Sequence, residues 1–488
     1  MKMKYMIDPR YRLRGWHKLP TGLYDAQKHE AQFFAPDLYK LLLKCDAAHD
    51  IDPDTLPEKQ RKFLEKLQAE HIIHPAGWLD FLLPEQRYKA YPARYRQDAH
   101  WSITGECNLR CRHCFMSAPS GKHGNPSHEE ILRIADMLAE CGVFRVGITG
   151  GEPLIRSDFT QILDALKERE IALTILYTNG WLVDEKLLDT LEERGMHPSF
   201  QLSFDGVGWH DFLRGIPGAE ERTLKALRLL NERGYKTSVS MCVHRKNAHT
   251  IRESINLLAS LGVTAVKCGS MMNLGEWAKD DVKDLQLSRA EEQAIFEAYI
   301  PQYFEDDAPV SIMLSGAFMY TPGEDRWVIY NERKCDEKDE AEALSCGVLA
   351  HSFHISAEGL VCPCMGMADC DFAEHFPTLK SMTLSEILTD SELIRYEYTT
   401  VRDVRDGSGK CRTCRFVDRC AGGCRNAALM AGDNYYGVDP DLCAFFENGW
   451  DQRIRDAAQP AFEAYLKRNP PVKGNQADKG SSILEAPC

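Results

Sequence analysis

The stretch GECNLRCRHCFMSAPSG, residues 105–121, holds three cysteines, Cys107, Cys111 and Cys114, with the spacing C-x3-C-x2-C. Structural metal sites usually close their coordination shell, whereas a site that keeps one position open usually performs chemistry. Three thiolates can bind three irons of a [4Fe–4S] cube, which is otherwise held by four cysteines. The alternative is a zinc site completed by His113, although zinc sites favour paired C-x2-C motifs. The spacing therefore favours an iron–sulfur cluster with one iron open to a further ligand.

The overall composition limits the classes of function. A chain of 488 residues predicts two to four domains, because single cores rarely grow beyond about 250–300 residues. Acidic residues number 73 and basic residues 59, which argues against a nucleic-acid or membrane partner. The N-terminus MKMKYMIDPRYRLRG lacks an apolar signal segment, and we expect a cytoplasmic protein. Its eighteen cysteines are then expected to be reduced thiols and metal ligands.

Residues 99–275 repeat a strand followed by a helix. The candidate strands are HWSITG, FRVGITG, ALTILYT, SFQLSFD, TSVSMCV and TAVKCG. Ser127 and Glu130 form a capping box at the start of the first helix. Six such units predict an α/β fold with a parallel sheet and right-handed crossovers, in the form of a partial (β/α)6 barrel of TIM type.

Consecutive strands of this predicted barrel end in small or polar residues. These are Gly150, Gly151 and Glu152 after the second strand, Asn179 after the third, and Ser203 and Asp205 at the end of the fourth. The cysteine motif follows the first strand. Because the loops after the strands build the active site of such a barrel, we expect all these residues at one rim.

With C-x3-C-x2-C after the first strand and GGEP after the second, residues 99–275 resemble the radical S-adenosylmethionine (SAM) enzymes. The resemblance implies that SAM chelates the open iron through its amino and carboxylate groups. It also implies that SAM is cleaved to a 5′-deoxyadenosyl radical, which abstracts a hydrogen atom from an unactivated C–H bond.

The same resemblance assigns roles to the polar strand ends. It implies that Gly150, Gly151 and Glu152 hold the methionyl amine. Ser203 and Asp205 would face the ribose or the carboxylate, with Asn179 nearby. His113 would lie near the adenine, where the family usually has an aromatic residue.

A second group of cysteines follows the pattern C-x12-G-x4-C, then C-x2-C-x5-C-x3-C, then a last cysteine. Its members are Cys346, Cys364, Cys411, Cys414, Cys420, Cys424 and Cys443. Seven is an awkward number for zinc alone, because two tetrahedral sites need eight ligands. The string resembles the SPASM extension of radical SAM enzymes, which carries two auxiliary iron–sulfur clusters, expected here to be [4Fe–4S].

The SPASM resemblance divides these ligands into two groups. It places Cys411, Cys414, Cys420 and Cys443 on one cluster. It places Cys346, Cys364 and Cys424 on the other, whose fourth position is open or filled by Cys335, Cys362 or Cys370. In sulfatase-maturing relatives, an acidic residue that accepts a proton directly follows the cysteine that corresponds to Cys364. Here that position is Met365, which weakens a sulfatase-maturing assignment.

Residues 1–75 form short strands followed by helices. They resemble the winged-helix-like (PqqD-like) module that binds leader peptides of ribosomally synthesised, modified peptides. The implied mode is β-augmentation at an edge near 30–35, beside a helix near 57–70. A DNA-binding winged helix is the alternative, which the acidic charge disfavours. The remaining predicted parts are a linker at 76–98, a helical bridge at 276–334, the SPASM domain at 335–450, and a C-terminal helix with a disordered tail at 451–488.

These features predict a radical SAM enzyme that modifies a precursor peptide, with a thioether crosslink as the first choice. Carbon–carbon (cyclophane-type) crosslinking and epimerisation are alternatives within this class. Cys242 and Cys268 are candidate hydrogen donors, although a core role is also open for both. Other classes are a sulfatase-maturing or small-molecule radical SAM enzyme and a non-catalytic DNA-binding regulator. A reducing partner such as flavodoxin or ferredoxin is expected.

Overall fold

The structure is a computed structural model that describes residues 2–118, 121–270, 275–278, 280–330, 332–333, 335–432 and 434–470. The strands in these ranges are β1 Tyr5–Ile7, β2 Tyr11–His17, β3 Leu19–Asp25, β4 Glu30–Phe33, β5 Ile73–Pro75, β6 Lys89–Arg94, β7 Asp98–Ser102, β8 Arg145–Thr149, β9 Ala172–Thr178, β10 Ser199–Ser203, β11 Thr237–Val243, β12 Ala265–Ser270, β13 Ser311–Leu314, β14 Phe318–Tyr320, β15 Ser352–Ile355 and β16 Val361–Cys362.

The α-helices in the same ranges are α1 Pro36–Leu42, α2 Glu58–Ala69, α3 His128–Glu140, α4 Phe159–Glu168, α5 Glu185–Glu193, α6 His210–Arg214, α7 Ala219–Glu232, α8 Ile251–Ser260, α9 Arg289–Glu305, α10 Leu384–Asp390, α11 Glu392–Glu397, α12 Val401–Gly407, α13 Gly409–Arg412, α14 Val417–Cys420, α15 Arg425–Gly432, α16 Pro440–Glu447 and α17 Trp450–Arg468. The tail that was expected to be disordered lies outside the described residues from position 471 onward.

Strands β7 to β12 form a parallel sheet in chain order, each paired with the next. This confirms the predicted partial (β/α)6 barrel. Side chains alternate along each strand, so one face joins the core shared with the helices, as Trp101, Ile148 and Leu202 do. The opposite, inner face carries polar residues such as His100 and Ser203, which leaves polar groups inside the barrel.

The sheet continues beyond the six predicted strands on both sides. β13 pairs parallel to β12 and is followed by antiparallel β14, while β15 pairs parallel to β7 and is followed by antiparallel β16. The segment 276–334, predicted as a helical bridge, contains α9 and also the strands β13 and β14. The sequences of β13, SIML, and of β14, FMY, are too short to predict strands by themselves. They form a hairpin because the edge of β12 offers β13 a pairing partner.

The N-terminal unit extends further than its sequence pattern suggests. Its four-stranded sheet has the order β4-β3-β2-β6, and β6 lies inside the expected linker 76–98. Pro92 makes this stretch look like a linker, but proline is tolerated on an edge strand. Trp16, Tyr24 and Tyr91 of this sheet pack against Phe144 of the barrel. The N-terminal unit therefore includes residues up to Arg94, and it packs against the barrel.

Residues after 335 form β15, β16 and a series of short helices, closed by the long helix α17 that packs on α9. Phe304 of α9 contacts Phe462 and Tyr465 of α17, with ring centroids 5.4 and 5.5 Å apart. A fully buried ion pair between Arg96 and Glu397 also ties the barrel to this C-terminal part. Within the described residues, no helix is long and apolar enough to span a membrane.

His123 links the loop that carries the cysteine motif to the C-terminal part. Its Nδ1 lies 3.2 Å from Glu358 and its Nε2 lies 2.7 Å from Asp369. The hydrogen bond with Asp369 raises the pKa of His123 above its usual value, and Lys122 beside it opposes this. Only the protonated imidazole has an N–H on both nitrogens, so only this form can donate to Glu358 and Asp369 at the same time. Protonation of His123 therefore strengthens the link.

We expect this link to make stability depend on pH. Because the folded-state pKa of His123 is raised, its contribution is fully present below pH about 6.5 and is lost as pH rises through the raised value. His123→Gln should lower the free energy of unfolding by about 1–3 kcal/mol at pH 6, and by less at pH 8.5. Thermal unfolding of the variant and the wild type from pH 6 to pH 8.5 measures this difference, and His71→Gln, at an exposed position, is the control. An equal loss of stability at both pH values would contradict the role of the protonated His123.

Candidate active site

The loop with the three cysteines lies directly against the GGEP loop. The backbone N–H of Gly151 donates to Thr104 O at 2.9 Å, and that of Glu152 donates to Glu106 O at 2.8 Å. A Cβ on Gly151 would lie 2.0 Å from Glu106 O. Gly150 has a φ of +148°, and a Cβ there would lie 2.4 Å from Thr104 O. These glycines are therefore needed for the close approach of the two loops.

Each of the three cysteine sulfurs faces a hydrogen-bond donor. The backbone N–H of Leu109 donates to Cys107 Sγ at 3.4 Å, and that of Ala118 donates to Cys114 Sγ at 3.3 Å. Arg214 Nη1 lies 3.7 Å from Cys111 Sγ. Such donors stabilise thiolates, which are the form that binds metal.

Burial opposes these donors in the free protein. It raises the pKa of Cys107 to about 12 and that of Cys114 to about 11, and the neighbouring thiol of Cys111 adds to both shifts. The thiols are therefore protonated at neutral pH until a metal displaces the protons. The three thiols therefore lie close enough together to affect one another.

The spacing of the ligand atoms tests the alternative of a zinc site completed by His113. Zn–S bonds of about 2.3 Å place tetrahedral ligands about 3.8 Å apart. Among the described residues, the three motif cysteines do not form a group within 4.8 Å, whereas His113, Asp205 and Cys242 do. His113 is therefore grouped with Asp205 and Cys242 rather than with the three motif cysteines, which does not favour a zinc site completed by this histidine.

Asp205 is buried beneath the cysteine loop and is paired with Arg214. Arg214 Nε donates to Asp205 Oδ2 at 2.7 Å, and the backbone N–H of Cys242 donates to Oδ1 at 3.1 Å. Burial alone would raise the pKa of Asp205, but Arg214 lowers it below its usual range. Arg214 thus lies between the Asp205 carboxylate and Cys111. A cation held by His113, Asp205 and Cys242 would compete with its guanidinium group.

Glu152 holds the ends of two strands together. Its carboxylate accepts hydrogen bonds from the N–H of Leu154 at 3.1 Å, the hydroxyl of Thr178 at 2.9 Å and the N–H of Asn179 at 2.7 Å. Full burial raises its pKa to about 7. Asn179 Nδ2 in turn donates to Asn108 Oδ1 at 2.8 Å, within the cysteine loop. The predicted SAM contacts of Glu152 and Asn179 stay predictions.

A cavity of about 340 Å³ opens at the carboxyl ends of β11, β12 and β13. Cys242 lines it, and its thiol lies within 4.8 Å of ligand atoms of His113 and Asp205. Cys268 is fully buried in the core on the other face of β12, close enough to Tyr299 of α9 to raise its pKa. The structure therefore brings Cys242, but not Cys268, to the cavity.

The second group of cysteines forms two sets of neighbouring thiols. Cys346, Cys364 and Cys424 line a cavity of about 80 Å³, which Cys420 also borders. Cys411 and Cys414 lie close enough to Cys420 to raise its pKa, and Cys411 and Cys420 likewise affect Cys443. Cys420 thus lies beside both sets of thiols, and the division into two clusters that the SPASM resemblance implies stays a prediction.

The three candidate fourth ligands are elsewhere engaged. Cys335 packs with Val401 and Val417. Cys362 Sγ donates to the carbonyl of Cys364 at 3.4 Å, and Cys370 Sγ donates to that of Met367 at 3.2 Å. In the described residues, none of the three lines the cavity of Cys346, Cys364 and Cys424.

Comparison with known proteins agrees with this site. Residues 101–258 match the family described as the radical SAM superfamily. The AdoMet-dependent heme synthase of Methanosarcina barkeri is 26% identical over 356 residues, which cover 70% of this chain and 94% of that protein. The PqqA peptide cyclase of Granulibacter bethesdensis is 27% identical over 335 residues, covering 68% and 83%. The crystal structure of Streptococcus suis SuiB bound to precursor peptide SuiA has a TM-score of 0.62 at 18% identity, covering 91% and 100%.

The cysteine loop, the GGEP loop and the barrel therefore form a radical SAM domain. The chain is a radical SAM enzyme. This confirms the prediction of an enzyme rather than of a non-catalytic DNA-binding regulator. Its cofactors are a [4Fe–4S] cluster with SAM, and its fold is that of SPASM-type structures with auxiliary clusters.

Sequence reasoning missed the contact of Arg214 with Asp205 and the role of Asn108 at this site. Arg214 lies nine residues after Asp205, and their contact depends on the turn that α6 makes back toward β10. Asn108 lies inside the cysteine motif, and its contact with Asn179 depends on the packing of two loops. A basic residue shortly after a strand that ends in a buried carboxylate was the available signal for Arg214.

Proposed function

We propose that this enzyme modifies a ribosomally synthesised precursor peptide and forms a thioether between a cysteine sulfur and a carbon of another residue. The cavity at the barrel mouth carries this proposal. Cys242, beside the residues that hold the radical SAM site, lines one part of it, and Cys424 of the second thiol group lines another. When bound, the cluster and SAM supply the radical that abstracts a hydrogen atom. A substrate in this cavity can therefore reach both sites.

Thioether formation needs more than hydrogen abstraction. The substrate carbon loses one hydrogen atom, the substrate thiol loses one proton, and one electron must leave as the S–C bond forms. Cys346, Cys364 and Cys424 form a three-thiol group that borders the same region. We assign these three cysteines as ligands of an auxiliary cluster, which would supply a binding site for the substrate thiolate and an acceptor for the electron. We assign Cys411, Cys414, Cys420 and Cys443 to the second auxiliary cluster.

Precursor binding is assigned to the N-terminal unit. β4 is the terminal strand of its sheet and, in the described part of the chain, pairs only with β3. The N–H of Phe34 donates to Thr21 O of the neighbouring strand at 3.1 Å. Because hydrogen bonding alternates along a strand, the N–H groups of Ala31 and Phe33 point away from β3. The backbone of Ala31 bonds the Tyr95 hydroxyl there, so the N–H of Phe33 is the group that faces an added strand in the free protein. A leader peptide can add a strand there by β-augmentation, beside Phe34 and Phe63 of α2.

A single substitution tests this binding mode without removing the domain. Deleting residues 1–75 would leave β6 unpaired and expose Phe144, so it would also perturb the barrel. Ala31→Pro deletes one N–H that points away from β3 and keeps the bonds to β3, whereas Ala31→Val keeps the N–H. Tyr95→Phe removes the bond between Tyr95 and Ala31 without blocking the strand, and it is a further control. We expect Ala31→Pro to raise the Kd of the precursor peptide at least about tenfold and Ala31→Val to change it little. Both should cleave SAM at the wild-type rate without peptide.

Equal peptide affinity of the two variants would contradict leader binding at β4. The alternative is an enzyme that does not act on a peptide, since one relative is a heme synthase. A chain of that kind would keep its turnover in both variants. We further assign electron supply to a small reducing protein, flavodoxin or ferredoxin, as radical SAM chemistry requires one electron per SAM cleaved.

A further inference from the structure

The cavity at the barrel mouth contains charged groups that already have partners. Arg289 Nε donates to Asp441 at 2.7 Å, and its Nη1 donates to Glu292 at 2.7 Å. Asp439 accepts backbone N–H groups from Leu442 at 3.0 Å and from Cys424 at 2.8 Å. These side chains form the wall of the cavity, and their hydrogen bonds leave little capacity for a ligand.

Lys267 also lines this cavity but differs from its charged neighbours. It lies on the inner face of β12, in register with Ser240 of β11 and Met313 of β13, both uncharged. Throughout the described residues it forms no ion pair or hydrogen bond. The side chain of Lys267 is half-buried, and an anion brought by a ligand would provide a partner for its ammonium group.

Gln293 of α9 provides a second unpartnered group in the same cavity. The side chain is 7% exposed, and its Oε1 is buried without a hydrogen-bond donor among the described residues. A buried carbonyl without a hydrogen bond destabilises the fold, and a ligand N–H would satisfy it. Lys267 and Gln293 thus each bring to the cavity a polar group that has no partner among the described residues.

We propose that Lys267 and Gln293 bind an acidic residue of the substrate peptide. The Lys267 ammonium pairs with the Asp or Glu carboxylate, and Gln293 Oε1 accepts a peptide N–H. This inference rests on the proposed function, since it takes the occupant to be a peptide. It defines the substrate as a precursor with an acidic residue close to the modified position. SAM also carries a carboxylate, so the test must separate the two sources.

Capped amino acids provide a probe that needs no knowledge of the precursor. N-acetyl-glutamate N-methylamide has one carboxylate and two N–H groups, and the glutamine analogue is its uncharged match. We expect the glutamate probe to raise the Tm of the reconstituted, SAM-bound enzyme in a saturable way, and the glutamine probe not to. Lys267→Met should abolish this rise, and Gln293→Leu should weaken binding about tenfold. Lys225→Met, on the exposed face of α7, is the control.

Three results would overturn the assignment. Equal shifts with both probes would remove the role of the carboxylate, and an unchanged shift in Lys267→Met would remove the role of the lysine. If the glutamate probe raises the Tm of the SAM-free enzyme but not of the SAM-bound enzyme, and Lys267→Met weakens SAM binding, the lysine serves the cofactor. Because binding is read without turnover, a saturable shift supports this site even if no peptide is modified, and that separates it from the proposed function.

Discussion

Replacing Cys107, Cys111 and Cys114 together by alanine should remove about four irons per chain and abolish SAM cleavage. The three thiols lie close together beside the GGEP loop, and each faces a hydrogen-bond donor. Without them the loop has no thiols left to hold the [4Fe–4S] cluster. Iron analysis and the release of 5′-deoxyadenosine by the anaerobically reconstituted protein measure both effects.

A matched control separates this loss from a general effect of removing thiols. Cys45, Cys141 and Cys268 are buried in the cores and lie outside both proposed auxiliary groups. Their replacement by alanine should lower stability but keep the iron content and SAM cleavage of the folded protein. Undiminished SAM cleavage in the first variant would contradict the assignment of the motif.

The second large effect concerns Arg214. Arg214→Met leaves the Asp205 carboxylate buried without its ion-pair partner, so the free energy of unfolding should fall by about 3–5 kcal/mol. Arg194→Met removes a more exposed ion pair with Asp164 and should cost about 0–1 kcal/mol. Thermal unfolding of the apo-proteins measures the difference.

The double variant identifies the cause of this loss. Arg214→Met combined with Asp205→Asn has no unpaired buried charge, and Asn can still accept the N–H of Cys242. It should therefore recover part of the stability lost in Arg214→Met. An Arg214→Met loss as small as that of Arg194→Met would show that the pair is not buried in the way described.

The sequence predicts most of the radical SAM site because the site follows directly from the topology. Parallel strands place their carboxyl ends at one rim, so the cysteine motif, GGEP and Asp205 had to come together once six strand–helix units were recognised. The roles of the glycines were less predictable. Gly150 and Gly151 permit loop–loop packing, which depends on the path of residues 104–106.

Other features depend on contacts that a local pattern does not encode. β6 contains Pro92 and is stable only because β2 offers it a partner. Cys242 and Cys268 both lie on predicted strands, but which of them faces inward depends on the register between β11 and β12. Lys267 shares the inner face with Cys242 for the same reason, so its position at the cavity becomes apparent only in the structure.

The most direct test is the mass of a peptide that this enzyme has modified. We would coexpress the chain anaerobically with the short reading frame beside its gene and analyse the peptide by mass spectrometry. The account predicts a loss of two hydrogens per modification, with one cysteine that can no longer be alkylated. The same loss with all cysteines free would indicate carbon–carbon crosslinking, and deuterium gained from heavy water would indicate epimerisation. SAM cleavage with an unchanged peptide in both solvents would contradict the claim that this peptide is the substrate.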